Sequence, residues 1–529
     1  MSLRWVDFNM PSFCQNLPDI DMITSDPFEH ESIANDMIAS LNVQQKAAFD
    51  DIVEAVNDIS MTPKCRFLDG PGGSGKTYLY TTLIHYFKGK NEIVLSAAST
   101  GIAANLLIGG RTYHSLFKLP IPITETTTSS IKCNSQDAET LRKCKLIIID
   151  ESTMASCHAL NAIDRLLKDV MSMDREKGVP FGGKVILLGG DFRQCLAIVP
   201  HAMRPAIVEN TLQQSKNWKH FKKLSLISNM RSVDPDYSEW LLKLGNGTLT
   251  NPHGLDKDLI EIPPDLVSKG NLIEEIFGDN IQENMIESIS KRAILCPKNV
   301  DVDKINNEII SKIEGDSRTY LSYDQVVTDD EEVRNNFQTE FLNTLSLSGL
   351  PSHKLTLKKG TVVMLLRNLN TKRGLCNGTR LIVRDMTNHI IKCDILTESG
   401  IGETVLIPRI DCTNKTEMPF ELKRRQFPLK PAFAMTINKA QGQTLEKVGI
   451  FLSAPVFGHG QLYVAFSRVR RSCDVKVKII DTSDQGRLIE GSDSVFTKNV
   501  VYTEVLEEKD MNDIVWDEMD INFDVNYLM

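Results

Sequence analysis

The eight residues Gly70-Pro71-Gly72-Gly73-Ser74-Gly75-Lys76-Thr77 constrain the fold more than any other stretch of the chain. Four glycines in eight positions free the backbone to turn its N–H groups inward, and the helical pattern over 76–87 points a helix N-terminus at the same place. A β-rich run at 66–68 leads in. Strand, glycine loop and helix in that order read as a phosphate-binding loop, with Lys76 reaching the β- and γ-phosphates and the Thr77 hydroxyl on Mg²⁺. The alternative is a glycine turn that binds nothing. Around it, β-rich runs at 93–97, 146–149 and 185–188 alternate with helical stretches such as 158–171. Alternation of this kind predicts a parallel sheet with right-handed crossovers, an α/β domain that begins with a helix from Leu41 and ends near Asn229.

A nucleotide site of this type needs a second carboxylate for the metal. Leu146 to Ile149 form an apolar strand ending in Asp150-Glu151, so Asp150 can order the Mg²⁺ water shell and Glu151 can take a proton from attacking water. A solvated acidic edge is the bland alternative. One strand later, Gly190-Asp191-Phe192-Arg193-Gln194 follows Leu187-Leu188, and Gln194 can hydrogen-bond either the γ-phosphate or the water.

A second α/β pattern starts at 293–296 and continues through Val302, Ile305, Ile309 and Ile313 at helical spacing. It is interrupted at about 355–408 by short strands with the turn signals Lys359-Gly360 and Asn377-Gly378, a small β-barrel-like insert. The pattern resumes at 448–452, with a helix near 461–468 and the alternating strand Val475, Val477, Ile479. Residues 231–290 read as a connecting region.

Composition sets the boundaries of function. The formal charge is −9, yet the last 26 residues hold nine acids against Lys509 alone, and the first 36 hold seven against Arg4. Residues 37–503 are therefore mildly basic, which leaves nucleic acid open as a partner. Eleven cysteines without a CxxC pair read as reduced thiols of an intracellular protein, and zinc spacing is missing. No apolar run is long enough for a membrane span, and the start lacks the pattern of a secretory signal, so membrane and secreted classes are not expected.

The order of these motifs resembles superfamily-one DNA helicases of the Pif type, relatives of RecD-like motors. Beyond the three stretches above, the resemblance rests on Leu41-Asn-Val-Gln-Gln45, Ser99-Thr100-Gly101-Ile-Ala-Ala104, Gly110-Arg-Thr-Tyr-His114-Ser115, Asn229-Met-Arg231, Thr436-Ile-Asn438-Lys439-Ala-Gln-Gly442-Gln-Thr444 and Tyr463-Val-Ala-Phe-Ser-Arg468. Wording such as Pro351-Ser-His353, Phe457-Gly-His459-Gly-Gln461 and Asn499-Val-Val-Tyr502 looks most like the helicase module of Helitron-type transposons. The likeness covers about 38–505. It implies two RecA-like domains with parallel sheets, at 38–230 and 291–503, between an acidic lead-in (1–37) and an acidic tail (504–529). The insert would be an SH3-like barrel, and a short segment at 119–138 would be a strand-separating wedge or a flexible loop.

By the same resemblance, the protein would be an ATP-dependent helicase moving 5′→3′ on single-stranded DNA, with ATP and Mg²⁺ as cofactors. Gln45 would read adenine; Gly70, Gly72, Gly73, Ser74, Gly75, Lys76, Thr77 and Gly442 would hold the nucleotide. Gln194 would sense the γ-phosphate, and Arg231 and Arg468 would reach it from the second domain. Thr100, Gly101, His114, Ser115, Asn438 and Lys439 would touch DNA, although His114 also fits a core histidine. The runs Lys423-Arg424-Arg425 and Arg468, Arg470, Arg471 would line the channel or simply face solvent.

The sequence departs from the family at Ala440, where a hydroxyl is usual, and at Cys195–Val199 after Gln194. Forked or tailed duplex DNA is the implied substrate, a rolling-circle nickase the implied companion and the nucleus the implied compartment. Two rival readings stand: a DNA-stimulated ATPase that does not unwind, and a transposon-derived binding protein without turnover.

Overall fold

The computed structural model describes residues 26–507 apart from 59–63, 172–178, 201, 228–229, 231–233, 252–253, 279–288, 329–336, 348, 398–399 and 415–417. Six strands form the first sheet: β1 (Cys65–Asp69), β2 (Val94–Ala98), β3 (Arg111–Thr112), β4 (Leu146–Asp150), β5 (Val185–Gly190) and β6 (Phe221–Ser225). All pairings are parallel, in the order β3-β2-β4-β5-β1-β6. Strands β4 and β5 are buried along their whole length, which is why they read as unbroken apolar runs rather than alternations. Helices α1 (Pro27–Ala39), α2 (Val43–Asn57) and α3 (Lys76–Gly89) lie on one side, and α6 (Cys157–Met171) lies on the other after the short α4 (Gly101–Asn105) and α5 (Tyr113–Leu116).

This topology positions the chemistry. Strands β4, β5 and β1 are consecutive neighbours, so their C-terminal ends bring Asp150, Gly190 and the glycine loop to one crevice. The register aligns Asp69 with Gly190, and the first glycine is tied to β5 through its amide, Gly70 N to Gly190 O, 3.3 Å.

The second sheet is also parallel, in the order Ala434–Thr436, Arg292–Cys296, Lys447–Leu452, Val475–Ile479. Two helices matter below: α7 (Pro235–Asn246), capped by Asp234, and α8 (Gln461–Phe466).

Four expected boundaries move. The helix Pro27–Ala39, started by the Asp26 cap and Pro27, takes up the end of the lead-in and packs on α3 through His30 and His85. The connecting region is no linker: α7, the strand Leu259–Ile262 and the helix Leu272–Phe277 share the apolar core of the second domain. The insert is longer than 355–408. Antiparallel strands run from Arg318 to Pro431, in a five-stranded sheet with one two-stranded and one three-stranded companion, around two small cores of their own. The tail is anchored at its start, because Tyr502 and Val505 are buried in the first domain and Glu504 pairs with Arg204.

The segment at 119–138 is held in place. Arg165 Nη2 donates to Glu125 O and Thr127 O (2.9 and 2.6 Å), Ser129 Oγ donates to Phe117 O (2.7 Å), and Ile131 is buried.

Candidate functional site

The glycine loop needs its glycines at two places. Gly73 and Gly75 have φ of 92° and 84°, left-handed conformations that the turn into α3 requires. Lys76 Nζ donates to Gly70 O, so the ammonium lies folded over the loop. Ser74 Oγ is buried without a hydrogen-bond partner, and a Cβ on Gly70 would lie 2.4 Å from it. The interior of the loop thus carries polar capacity that the protein itself does not use. Thr77 stands half-buried at the start of α3.

Gln45 reaches this loop, but both ends of its amide are engaged. Its Oε1 accepts from Asn42 N (3.1 Å) in a capping box at the start of α2, and its Nε2 donates to Gly75 O (3.3 Å). Here it braces the loop. Reading adenine would require Nε2 to use its second hydrogen.

Asp150 is buried, and burial first, then the charge of Glu151, raises its carboxyl well above the usual range, with Lys76 opposing. Its Oδ1 has no hydrogen-bond partner. Glu151 sits at φ 48°, a left-handed conformation rare for a side-chain-bearing residue. Ser99 Oγ donates to its carbonyl (2.7 Å), and Gln441 Nε2 donates to its Oε2 (3.0 Å) from the second domain. The strained backbone and the cross-domain amide fix this carboxylate where the two domains meet.

Asp191 is fully buried and gathers the remaining parts. Its Oδ1 accepts from Arg193 N (3.1 Å) and Nη1 (3.0 Å), and its Oδ2 accepts from the Tyr463 hydroxyl (3.0 Å) and, more weakly, from Gln194 Nε2 (3.4 Å). Gln194 Oε1 is buried and unpartnered. Arg193 also bonds Asn246 Oδ1 at the end of α7 (2.8 Å), and the carboxylates of Asp191 and Asp69 hold its guanidinium proton more tightly than usual, against burial.

From the second domain, Arg468 is buried against the glycine loop, its Nη2 being 3.9 Å from the position a Gly72 Cβ would take. The guanidinium is held by Val464 O (2.8 Å), Gln443 O (3.0 Å) and Ser467 Oγ (2.9 Å), and burial lowers its pKa. Tyr463 Oη accepts from Gly72 N at 3.2 Å, across 391 positions of sequence. Gly442, at φ 81°, brings its backbone between Ala103 and Glu151. Arg231 lies outside the described residues.

The residues expected at DNA are less concentrated. Thr100 caps α4, accepting from Ala103 N at 3.2 Å, and a Cβ on Gly101 would stand 3.1 Å from Cys376 Sγ and 3.2 Å from Asn377 O of the insert. Asn438 Oδ1 accepts from Gln461 Nε2 (3.0 Å), and Lys439 is exposed. Segments 99–104 and 436–444 do meet, at Ala103 and Gly442. His114 and Ser115 stand apart on α5; His114 is half-buried, stacks on its neighbour Tyr113 and has its pKa lowered by burial, while Ser115 is exposed.

One basic run is corrected. Arg424 is buried and bonds both oxygens of Asp324 (Nε–Oδ1 2.9 Å, Nη2–Oδ2 2.6 Å), so it neither lines a channel nor faces solvent. Sequence reading passed over Asp191, Tyr463 and Gln441 as site residues. Each lies inside a motif already marked, and its role depends on a partner distant in sequence.

Residues 40–254 match the family model described as PIF1-like helicase, and residues 340–386 match that of the DNA helicase Pif1 2B domain. ATP-dependent DNA helicase PIF1 of Danio rerio is 27% identical over 474 residues, 87% of this chain and 65% of the relative. ATP-dependent DNA helicase Pif1 of Bdellovibrio bacteriovorus is 28% identical over 407 residues, 76% of this chain and 82% of the relative. The chain thus spans just under two thirds of the first of these and more of the second. Among solved structures, Bacteroides Pif1 bound to ssDNA superposes with a TM-score of 0.61 at 27% identity, over 82% of this chain and 92% of that one. The Bacteroides Pif1 complex with ADP-AlF3 and ssDNA gives 0.59 at 26%, over 82% and 94%.

Proposed function

We propose, for a chain whose residues 40–254 match the PIF1-like helicase model, that its two parallel-sheet domains close on Mg²⁺-ATP, that hydrolysis between them lets them part, and that this alternating grip moves the protein 5′→3′ along single-stranded DNA and parts a fork. The observation that carries this reading is the seating of Arg468 and Tyr463 of the second domain on Gly72 of the first. A phosphate site built from two domains changes whenever they move, so hydrolysis and motion are linked by geometry.

The chain's own groups divide the work. Lys76 and the loop amides hold the phosphates. Glu151, fixed by Gln441, accepts the proton of the attacking water. Gln194 offers its free Oε1 to that water, and Arg468 neutralises charge on the transferred group. The donor set fits Mg²⁺: Thr77 and Asp150 would hold the ion by oxygen, the Asp150 Oδ1 being buried and unpartnered, and the ion would neutralise phosphate charge.

For DNA, Thr100, Gly101, Asn438 and Lys439 lie on segments that meet at the same interface as the nucleotide residues. Phosphate and backbone contacts of this kind ignore base identity, as a motor requires. The relatives' names and the DNA and nucleotide-analogue complexes of the Bacteroides protein support the reading.

The test is strand separation on forks with a single 5′ or a single 3′ tail. ATP-dependent unwinding of 5′-tailed forks alone is expected. Turnover stimulated by DNA without strand separation would leave a translocase, and unwinding of 3′-tailed forks alone would reverse the polarity.

A further inference from the structure

Tyr463 is buried, and its phenol makes two hydrogen bonds that leave it no spare capacity of consequence: it accepts from the Gly72 amide (3.2 Å) and donates to Asp191 Oδ2 (3.0 Å). Gly72 belongs to the phosphate loop, Asp191 to the segment that carries Gln194, and Tyr463 to α8 of the other domain. The hydroxyl therefore joins these three pieces at one atom. Burial and the neighbouring Asp191 carboxylate hold the phenol protonated, so it can accept and donate at once.

The ring has a prepared seat. A Cβ on Gly245 of α7 would stand 2.9 Å from Tyr463 Cδ2 and 3.1 Å from Arg193 Cβ, so only glycine lets the helix approach this closely. Tyr237 Oη, on the same helix, donates to Phe466 O at 2.9 Å and fixes the end of α8. The hydroxyl's position is thus set by packing on α7.

We propose that Tyr463 is a positioning residue for hydrolysis, relaying the state of the Gly72 amide to Asp191 and hence to Gln194. An arriving phosphate oxygen competes with the phenol for the Gly72 N–H. When the amide turns to phosphate, the phenol keeps its bond to Asp191, which with the His459–Phe192 bond ahead of α8 still holds the helix on the first domain. Released from Gly72, the hydroxyl can shift with Asp191, and Gln194 Nε2 can close on its present 3.4 Å. Nucleotide loading would in this way set the glutamine and the two-domain contact together. The inference rests on the ATP-hydrolysing reading above.

The experiment measures ATP turnover with saturating oligo-dT, and affinity for a fluorescent ATP analogue, on the full chain as wild type, Tyr463→Phe and Gly245→Ala, with melting curves for each. Tyr463→Phe keeps the ring and removes both bonds. Its kcat should fall about tenfold or more while nucleotide Kd stays equal or tightens, because a competitor for the Gly72 amide is gone. Gly245→Ala, which shifts the ring but keeps the hydroxyl, should lower kcat in the same direction.

Unchanged kcat in a folded Tyr463→Phe would overturn the proposal. So would a loss of affinity parallel to the loss of turnover, since that marks a direct substrate contact or plain packing. If Tyr463→Phe does not fold, Gly245→Ala decides alone by the same two readings. Absence of turnover in the wild type would instead remove the ATPase reading itself.

Discussion

Two buried polar clusters, one at the nucleotide interface and one in the insert, differ in what they leave unsatisfied. In the insert, Arg424 bonds Asp324 and the carbonyls of Leu342, Leu345 and Pro351, each at 3.0 Å, and its charge is fully met. At the interface, Ser74 Oγ, Asp150 Oδ1 and Gln194 Oε1 are buried and unpartnered within one crevice. Burying such groups without partners is costly, and beside the glycine loop they are placed to meet the oxygens of a ligand or its waters. The satisfied cluster builds structure; the unsatisfied one is where the proposed chemistry is placed.

The largest effect that sharpens this contrast is on stability. Arg424→Ala leaves Asp324 as an unpaired buried charge, and we expect a loss of about 3–5 kcal/mol in denaturant unfolding. Its exposed neighbour Arg425→Ala should change stability by less than about 0.5 kcal/mol. Equal effects would mean that burial is not what separates the two arginines.

Arg468→Ala acts at the other cluster. DNA-stimulated kcat should fall about 10²–10³-fold, measured at saturating ATP, because the charge supplied across the interface is lost. A change confined to KM would place Arg468 in ground-state binding.

A pH experiment follows from His459, whose Nε2 donates to Phe192 O (2.6 Å) and whose Nδ1 accepts from Tyr502 N (2.8 Å). Burial pushes its pKa down to about 4, so the unfolded chain takes up the proton first. The stability it contributes is complete above about pH 6.5 and drains as pH falls towards 4, roughly 2 kcal/mol being lost by pH 5. His459→Gln should flatten that part of the stability profile, read by urea unfolding at pH 7.5 and pH 5.

The smallest effect concerns docking of the insert on the first domain. A Cβ on Gly378, at φ 96°, would stand 2.5 Å from Ile102 Cδ1 of α4. Gly378→Val should slow fork unwinding about tenfold, the rate equivalent of the ~1.4 kcal/mol that overpacking costs. DNA-independent ATP turnover should stay within about twofold, since the crevice is untouched.

What could be read in the sequence follows the same division. The glycine loop, Asp150-Glu151 and Gln194 are short segments whose chemistry is local, so spacing alone exposes them. Their convergence follows from β4, β5 and β1 being neighbours, which a parallel alternation makes probable but does not state. Tyr463 and Gln441 act only through contacts with residues hundreds of positions away, and nothing in their neighbours announces it.

The full length of the insert is not legible in the sequence because its outer strands, such as Glu421–Gln426, alternate charged with buried residues. A buried arginine there looks the same as an exposed one. The lead-in helix is not legible in its own residues because its stabilising partner, α3, lies in another segment.

The most direct test of the account is ATP hydrolysis with and without single-stranded DNA, on wild type and Glu151→Gln. DNA should strongly raise wild-type turnover, and the variant should lose about 10³-fold or more while still binding ATP, as expected for loss of the proton acceptor. No turnover by the wild type, or full turnover by the variant, would contradict it.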